Sequence, residues 1–325
     1  MVYVRVTGRA IVNVHSANAE GAVGNYTGLS RVFVVKRRGS GYEVVEEPVI
    51  SGNMVKHWHA VRMVEILKEV GGGKARLCDN CKRFIMYRST MNFNDEFEYV
   101  KACAIEDVHG FLQPDAGVRR ESLVKFSFMV PVEELDAGST AVTHNRVFLD
   151  ERGSVPREQQ AMMVFKREHA SGLYGFSAVM DLKYVGRPLA DPDNANKVLP
   201  LDERRLRAKA ALLAMADVLS GRFGAASARA LPIVKVEELV CAVGRQPIPS
   251  LVHGFYSDYA EESYRLLRGF LSAGAAQDVK VFVYGRRVAE VFSGLSEVRR
   301  DAVKEVGSPV EAFVEAAKVA EEWLS

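Results

Sequence analysis

Residues 219–232 read LSGRFGAASARALP, a loop of glycines and small residues that carries Arg222 and Arg229 and no carboxylate. Before it runs an amphipathic stretch over about 201–219, and after it comes the strand-like LPIVKVEELVCAV (231–243). Small residues beside two guanidiniums point to an anion held against the backbone. The order of the flanking elements decides which anion is meant. A nucleotide-binding phosphate loop follows a strand, opens a helix and ends in Gly-Lys-Ser/Thr, so that helix-terminal N–H groups face the phosphate. Here the order is helix, loop, strand, and no Lys-Ser/Thr follows, which disfavours a nucleotide triphosphate. Two readings remain. One is a glycine C-cap and tight connection with solvated arginines; the other has Arg222, Ser227 and Arg229 holding an extended phosphate chain beside a sheet.

That helix–loop–strand unit is the second half of a longer pattern. Residues 2–14 alternate as a strand does, HSANAEGAVGNYTGLS (15–30) reads as a Gly/Asn-rich loop, and 31–50 reads as a hairpin turning at Gly39–Gly41. A helix follows over 52–69, with Ser51 as N-cap and Met54, Trp58, Val61 and Val64 on one face, and VGGGKAR (70–76) ends it. Residues 71–120 are irregular, and ESLVKFSFMVP (121–131) alternates again. After a polar excursion over 132–160 come two further strands, AMMVFKRE (161–168) and GLYGFSAVMDLKYVG (172–186). Without the insertions the order is β (2–14), α (52–69), β (121–130), β (173–185), α (201–219), β (232–242). This is the split βαβ, or ferredoxin-like, arrangement of the α+β class. The insertions fall between its elements, where added chain is tolerated. The tail opens its own helix with SPVE (308–311), with Ser308 as cap, Pro309 at the first helical position and Glu311 completing a capping box.

Composition sets the outer bounds. The chain has 325 residues, 48% of them hydrophobic and 26% charged, as expected of a globular protein with a large core. No apolar run approaches the roughly 18 residues of a membrane span, and the N-terminus alternates instead of forming a signal-peptide block. The expected location is the cytoplasm, with no membrane partner. The formal charge of +2 leaves room for a local basic stripe along one groove. Arg accounts for 28 of the 43 basic residues and Gln for only five positions, a composition that leans toward a thermophile.

Further stretches carry candidate chemistry. SGNMVKHWHA (51–60) starts a helix on Ser51 and Gly52, whose free N–H groups can face an anion, with Lys56 one turn in and His57 able to stack on a base or ribose. The alternative is a capped helix with both side chains solvated. In 15–31, glycines allow close backbone approach, while Asn18, Asn25 and Tyr26 offer hydrogen bonds and a stacking face. By themselves these residues also fit an ordinary surface loop. His144, Asn145 and Arg146 lie on what reads as a protruding hairpin. Cys78-x-x-Cys81 has a thiolate-pair spacing, and Cys103 and His109 follow within the same insertion. A Cys₃His zinc site suits a segment with little core of its own, although the last spacing is not that of a zinc ribbon. Cys241 reads as core. No Gly-x-Ser-x-Gly, no His-Glu-x-x-His and no paired carboxylates in a Gly-rich setting are present, so nucleophilic catalysis finds no support.

Taken together these stretches resemble the CRISPR-associated RAMP proteins, and within them the DevR-like "Cas seven" backbone subunit of Cascade in its archaeal type I-A branch. The most specific segment is CAIEDVHGFLQPDAGVRRESLVKFSFMVP (103–131), which looks like that family's Glu-Asp-Val-x-Gly-Phe-Leu run followed by an Arg-x-Ser strand ending in Met-x-Pro. VGNYT, SGNMVKH, THNRV and SGRFGAASARALP stand in the matching order, and the resemblance runs to about residue 260.

The resemblance implies an RRM-like palm over 1–260, with fingers inserted at about 71–120 and a thumb at 132–160, and a helical and strand extension over 261–325 packed on the palm. It implies a non-catalytic guide-RNA (crRNA) scaffold whose copies stack in a helical filament with other Cascade subunits, target DNA being read by guide base pairing. RNA contact is then expected at Asn18, Asn25, Tyr26, Ser51, Gly52, Lys56, His57, His144, Arg146, Arg222, Ser227 and Arg229, with Asp107 bracing its own loop. No cofactor is required, apart from the zinc that Cys78, Cys81, Cys103 and His109 can offer to hold. Type III relatives cleave RNA with an aspartate in the N-terminal loop. Here the only carboxylate between His15 and Val35 is Glu20, and Asn25 stands near where that aspartate is expected. A RAMP-type endoribonuclease and a DNA-binding regulatory module are the competing readings.

Overall fold

The computed structural model describes residues 2–17, 19–86, 89–147, 162–224, 227–228, 230–298 and 301–325. The chain begins with β1 (Tyr3–His15) and two hairpins, β2 (Ala19–Val23) with β3 (Tyr26–Leu29) and β4 (Arg31–Arg38) with β5 (Gly41–Pro48). Helix α1 (Gly52–Val70) is followed by short helices α2 (Asp79–Lys82), α3 (Glu96–Ala102) and α4 (Ala104–His109), then by the ribbon β6 (Phe111–Gln113) and β7 (Val118–Arg120). Next come β8 (Val124–Phe126), β9 (Val130–Pro131), β10 (Gly138–Val147), β11 (Met162–Met180), α5 (Leu201–Leu219) and β12 (Ile233–Gly244). The tail holds α6 (Tyr259–Ser272), β13 (Val279–Tyr284), α7 (Arg286–Phe292), α8 (Leu295–Val298), β14 (Val303–Glu305) and α9 (Pro309–Trp323).

The main sheet is mixed and runs β14-β13-β12-β1-β11-β3-β2, with β8, β9 and β10 also paired to β11. At its centre β1 is antiparallel to both β12 and β11, and β11 is antiparallel to β8. Alternation along the strands separates two cores, because successive side chains leave opposite faces. Val4, Val6, Ala10 and Val12 of β1 pack with α1 and α5, as do Leu239, Cys241 and Val243 of β12. Each fully buried aliphatic side chain of this kind contributes about 1.5–3 kcal/mol. Val240 and Ala242 join Val281, Val283, Val288 and Phe292 in a second core on the opposite face.

The polar face of β1 is covered by the 250–256 segment. Thr7 Oγ1 donates to the Val252 carbonyl at 2.7 Å and Arg9 Nε to the Gly254 carbonyl at 2.8 Å. Glycine makes that crossing feasible: a Cβ on Gly254 would stand 2.0 Å from the Gly8 carbonyl oxygen, and one on Gly175 would stand 2.2 Å from the Phe255 nitrogen.

Several sequence expectations change. The two strands expected over 161–186 are one strand of 19 residues, β11, in which Gly172 and Gly175 are close-approach positions and not breaks. The expected strand over 121–130 is interrupted between β8 and β9, where Ser127 bonds sideways to the Ser177 carbonyl and Met129 bridges to Ile50. The loop expected over 15–30 contains the β2–β3 hairpin, whose β3 lies parallel to β11. Residues 71–120 hold three short helices and a ribbon, elements too brief to leave a periodic signature. The tail extends the sheet through β13 and β14, while α9 packs against α5. Ser308 caps α9 as expected, but Glu311 bonds the Gly307 amide, one residue before the cap. Among the described residues, no helix is long and apolar enough to cross a membrane.

One buried network joins the 71–120 segment to the sheet and helices. Asp107 on α4 is fully buried and accepts from Arg120 Nη2 at 2.7 Å, Arg207 Nη1 at 2.8 Å and the Gly186 amide at 2.9 Å. Arg120 also donates to the Asp107 and Tyr184 carbonyls and pairs with Glu96; Arg207 donates to the Val100 carbonyl and pairs with Glu203. Asp107 braces its loop, as expected. Asp107→Ala leaves two buried guanidiniums short of their counter-charge, so urea denaturation should show a loss of about 3–5 kcal/mol.

Candidate functional site

The first turn of α1 is capped by Ser51 and packed through Gly52, Met54 and Val55, which are buried. Ser51 is extended at φ −69° and ψ 145°, and its Oγ accepts from the Met54 amide at 3.2 Å. Gly52 is required by space, since a Cβ there would stand 2.3 Å from the Phe126 carbonyl oxygen. No acidic residue occupies the first turn, so the positive end of the helix dipole is not neutralised from within. Lys56 is half-buried and His57 exposed, and partial desolvation lowers the pKa of both. His57 stands edge-on to Trp58 with centroids 5.8 Å apart. Trp58, expected as core, is only partly buried, with the Arg62 guanidinium 5.0 Å from its ring centre. Of these residues Lys56 and His57 line a cleft of about 580 Å³, together with Asn53 of the same helix and with Ser89, Glu106 and Phe111 from the 71–120 segment.

The 219–232 loop reaches the same helix. Gly221 and Gly224 adopt φ of 97° and 102°, where glycine alone is unstrained. Between them Phe223 is buried and shares a small apolar cavity with Val55 and Leu219. Arg222 is half-exposed and is paired by carboxylates from outside the loop, Asp217 on α5 at 2.8 Å and Glu65 on α1 at 3.4 Å. Any anion at Arg222 would have to compete with those carboxylates. A Cβ on Gly224 would lie 3.3 Å from Ala17 Cα, so the loop also touches the segment leaving β1. Ser227 is half-buried, whereas Arg229 and Asn18 lie outside the described residues.

The remaining candidates sit on the strands beyond. Asn25, in the β2–β3 turn, accepts from the Lys166 amide at 2.7 Å and donates to the Val164 carbonyl at 3.4 Å. The Tyr26 hydroxyl donates to Glu168 Oε2 at 3.2 Å, and Arg31 pairs with the same carboxylate. His144, on β10, stacks on Phe165 at 5.4 Å. The Arg146 and Glu20 side chains lie outside the described residues. The structure therefore brings the first turn of α1, the 219–232 loop and Ala17 together, and sets Asn25, Tyr26 and His144 apart on the β2–β3 and β10–β11 hairpins.

Cys78, Cys81 and Cys103 place their Sγ atoms within 4.8 Å of one another. Hydrogen bonds from Cys103 and Cys81 hold the Cys78 thiol well below its ordinary value, while hydrogen bonding to Cys103 and Cys78, with burial, pushes Cys81 up. Three sulfur donors this close together suit a zinc-class cation. His109, expected as the fourth ligand, is not in the group. Cys103 caps α4 and His109 ends it, and six residues of helix rise about 9 Å. Its partner is His59. His59 Nε2 lies 2.8 Å from the Ala211 carbonyl, which can only accept; neutral His59 therefore accepts at Nδ1, and His109 Nε2 donates to it at 2.9 Å. Glu106, one turn after Cys103, brings Oε1 to 3.9 Å from Cys78 Sγ, although it too lies outside the group of three. The sequence carried that signal as Cys-x-x-Glu, a helical spacing unlike any standard metal motif.

A family model described as "CRISPR-associated negative auto-regulator DevR/Csa2" matches residues 6–264. The chain belongs to this family. A Methanocaldococcus jannaschii protein described as "CRISPR-associated protein Cas7/Cst2/DevR" is 40% identical over 317 residues, covering 91% of this chain and 98% of that one. A Thermoproteus tenax protein of the same description is 41% identical over 296 residues, with 87% of each chain covered. A Saccharolobus solfataricus "CRISPR-associated aCascade subunit Cas7/Csa2 2" is 28% identical over 319 residues, or 91% of this chain and 97% of that one. A chain of a solved "CRISPR RNA-guided surveillance complex" superposes with a TM-score of 0.50 at 13% identity, covering 98% of this chain and 99% of that one, a likeness of fold. The matched residues of the DevR/Csa2 family span every interface candidate described above.

The buried imidazoles under this surface make stability pH-dependent. Burial lowers His59 to about 4, against the opposing hydrogen bond to Ala211, and burial followed by the His169 charge lowers His15 to about 4. The unfolded chain takes up these protons below about pH 6.5 while the folded protein does not until about pH 4. Stability is therefore constant above that window and falls through it, by on the order of 1 kcal/mol per pH unit for each histidine. Thermal unfolding scanned from pH 7 to 4 should show this fall, and His59→Gln should make it shallower while the His15 part remains.

Proposed function

We propose that this DevR/Csa2-family chain is a non-catalytic scaffold for a CRISPR guide RNA. Copies stack along the RNA as the helical backbone of a type I Cascade complex, which surveys target DNA in the cytoplasm by guide base pairing. The supporting observation is the carboxylate-free first turn of α1, with Lys56 and His57 lining a cleft and Val55 sharing a cavity with Phe223 of the 219–232 loop, within a family whose Saccharolobus relative is described as an aCascade subunit. Helix N-termini, lysines and glycine-rich backbone contact phosphates without reading bases, which suits a subunit that must accept any guide.

In this reading β12, β1, β11 and β8 with α1 and α5 are the ferredoxin-like palm, the 71–120 segment is the fingers, and the insertion at 132–160, of which 148–160 lies outside the described residues, is the thumb. Residues 261–325 are an extension on the palm, and zinc on the three thiols stiffens the fingers. The absence of cleavage rests on sequence, with Glu20 the sole carboxylate of the N-terminal segment, and on Asn25, whose carboxamide is engaged with the Val164 carbonyl.

Mixing the purified protein with guide RNA should produce filaments whose length follows the RNA, visible by electron microscopy, with the RNA intact on a denaturing gel. Defined cleavage products would establish the ribonuclease reading instead, and preference for duplex DNA the regulatory one. Lys56→Ala and Arg229→Ala should each weaken RNA binding equally across sequences and reduce the log–log salt slope by about 0.7. Unchanged binding, or loss confined to certain sequences, would overturn the phosphate assignment.

A further inference from the structure

The three thiols approach the geometry of a tetrahedral site but leave it one ligand short. Structural zinc sites are closed by four protein ligands, with Zn–S near ~2.3 Å and Zn–O near ~2.0–2.2 Å, which places ligand sulfur and oxygen atoms about 3.5–3.8 Å apart. The Sγ atoms of Cys78, Cys81 and Cys103 lie within 4.8 Å of one another, and Glu106 Oε1 stands 3.9 Å from Cys78 Sγ but not within 4.8 Å of all three, so its carboxylate would have to turn further toward the group to close it. We propose that Glu106 is the fourth ligand, forming a Cys₃Glu site for a zinc-class dication, with Ser89 as the residue that aims the carboxylate. The inference rests on the reading of the thiols as metal ligands, and replaces His109 in that set.

Local structure delivers each group. Cys78 is the N-cap of α2 and Cys81 lies within it, the tight knuckle expected of a Cys-x-x-Cys pair. Cys103 is the N-cap of α4, so Glu106, three residues on, returns to the same side of that helix. Glu106 is almost fully buried and its second oxygen accepts from the buried Ser89 Oγ at 3.1 Å. That bond leaves Oε1 turned toward Cys78, the kind of outer-shell contact that orients carboxylate ligands. A dication compensates the buried carboxylate and thiolates together, where a lone buried anion is costly. The metal would then join α2 to α4, and Glu106 and Cys81 line the cleft that faces Lys56 and His57. Metal binding would in this way hold the cleft wall opposite the proposed phosphate contacts.

The test uses the full chain, with zinc stoichiometry and affinity measured by chelator competition and with cobalt(II) as the spectroscopic probe. Wild-type protein should bind one ion per chain, and Cys78→Ser should abolish binding. Glu106→Gln should weaken zinc by at least ~10-fold, the smaller effect typical of losing even an outer-shell partner. It should also shift the cobalt ligand-field bands while leaving the thiolate charge-transfer intensity intact. His109→Gln should leave affinity and spectrum as in wild type. Glu106→Cys should restore affinity and raise the charge-transfer intensity by that of one more thiolate, a rescue that a merely structural glutamate cannot give. Wild-type affinity and spectrum in Glu106→Gln, or loss of metal in His109→Gln alone, would overturn the assignment of Glu106. Failure of the wild-type chain to bind metal would overturn the thiol reading itself.

Discussion

Asp107 has no exposed surface, and its carboxylate is shared between Arg120 beyond the β6–β7 ribbon's turn, Arg207 on α5 and the backbone amide of Gly186 after β11. A buried ion pair is costly to desolvate and is tolerated only when nearly every hydrogen-bonding position is filled. Here Arg120 reaches two further backbone carbonyls and Glu96, so the set is close to complete. The requirement for full satisfaction fixes four chain segments relative to one another. In particular it sets the rotation of α4. With Asp107 turned to the network, Glu106 faces the thiols and His109 faces His59 on α1.

The second organising element is β11. Its length lets one strand serve β10 and β3 at its beginning and β1, β8 and β9 toward its end. The hairpin that carries His144 is thus a continuation of the central sheet. Pairing with β1 is regular from Gly172 to Met180, and a register shift between Val12 and His15 marks where the hairpin leaves the central sheet. The proposed RNA contacts on α1 and those on the hairpin are held to the same sheet by this continuity.

Much of this was legible in the residues. Ser51 and Ser308 cap the helices expected, the alternation of β1 and β12 sorts their faces, and Asp107 is a brace. These features depend on neighbours a few residues away or on a period of two or 3.6, which a linear sequence displays. The departures share a different cause. The stretch 169–171 reads as a break before Gly172, yet the strand runs through it, and Gly172 and Gly175 are glycines because Ala137 and Gly254 crowd them from distant parts of the chain. Arg222 looks free of carboxylates because Asp217 and Glu65 approach it from two helices. The short helices of 71–120 are set by tertiary bonds, and so His109 is carried away from the cysteines that precede it.

The sequence by itself determined the order of strands and helices, the capped starts of α1 and α9, the core faces and, through its ordered motifs, the resemblance to the CRISPR-associated proteins. Those properties are local or periodic, and each residue announces its own part. Only the tertiary structure decided which side chains meet: the pairing of Arg222, the His59–His109 contact, the clustering of three thiols and the closeness of Glu106 to one of them. The physical reason is that these encounters are made by burying polar groups from separated segments against one another. The partners are then chosen by packing across the fold, which no spacing along the chain records.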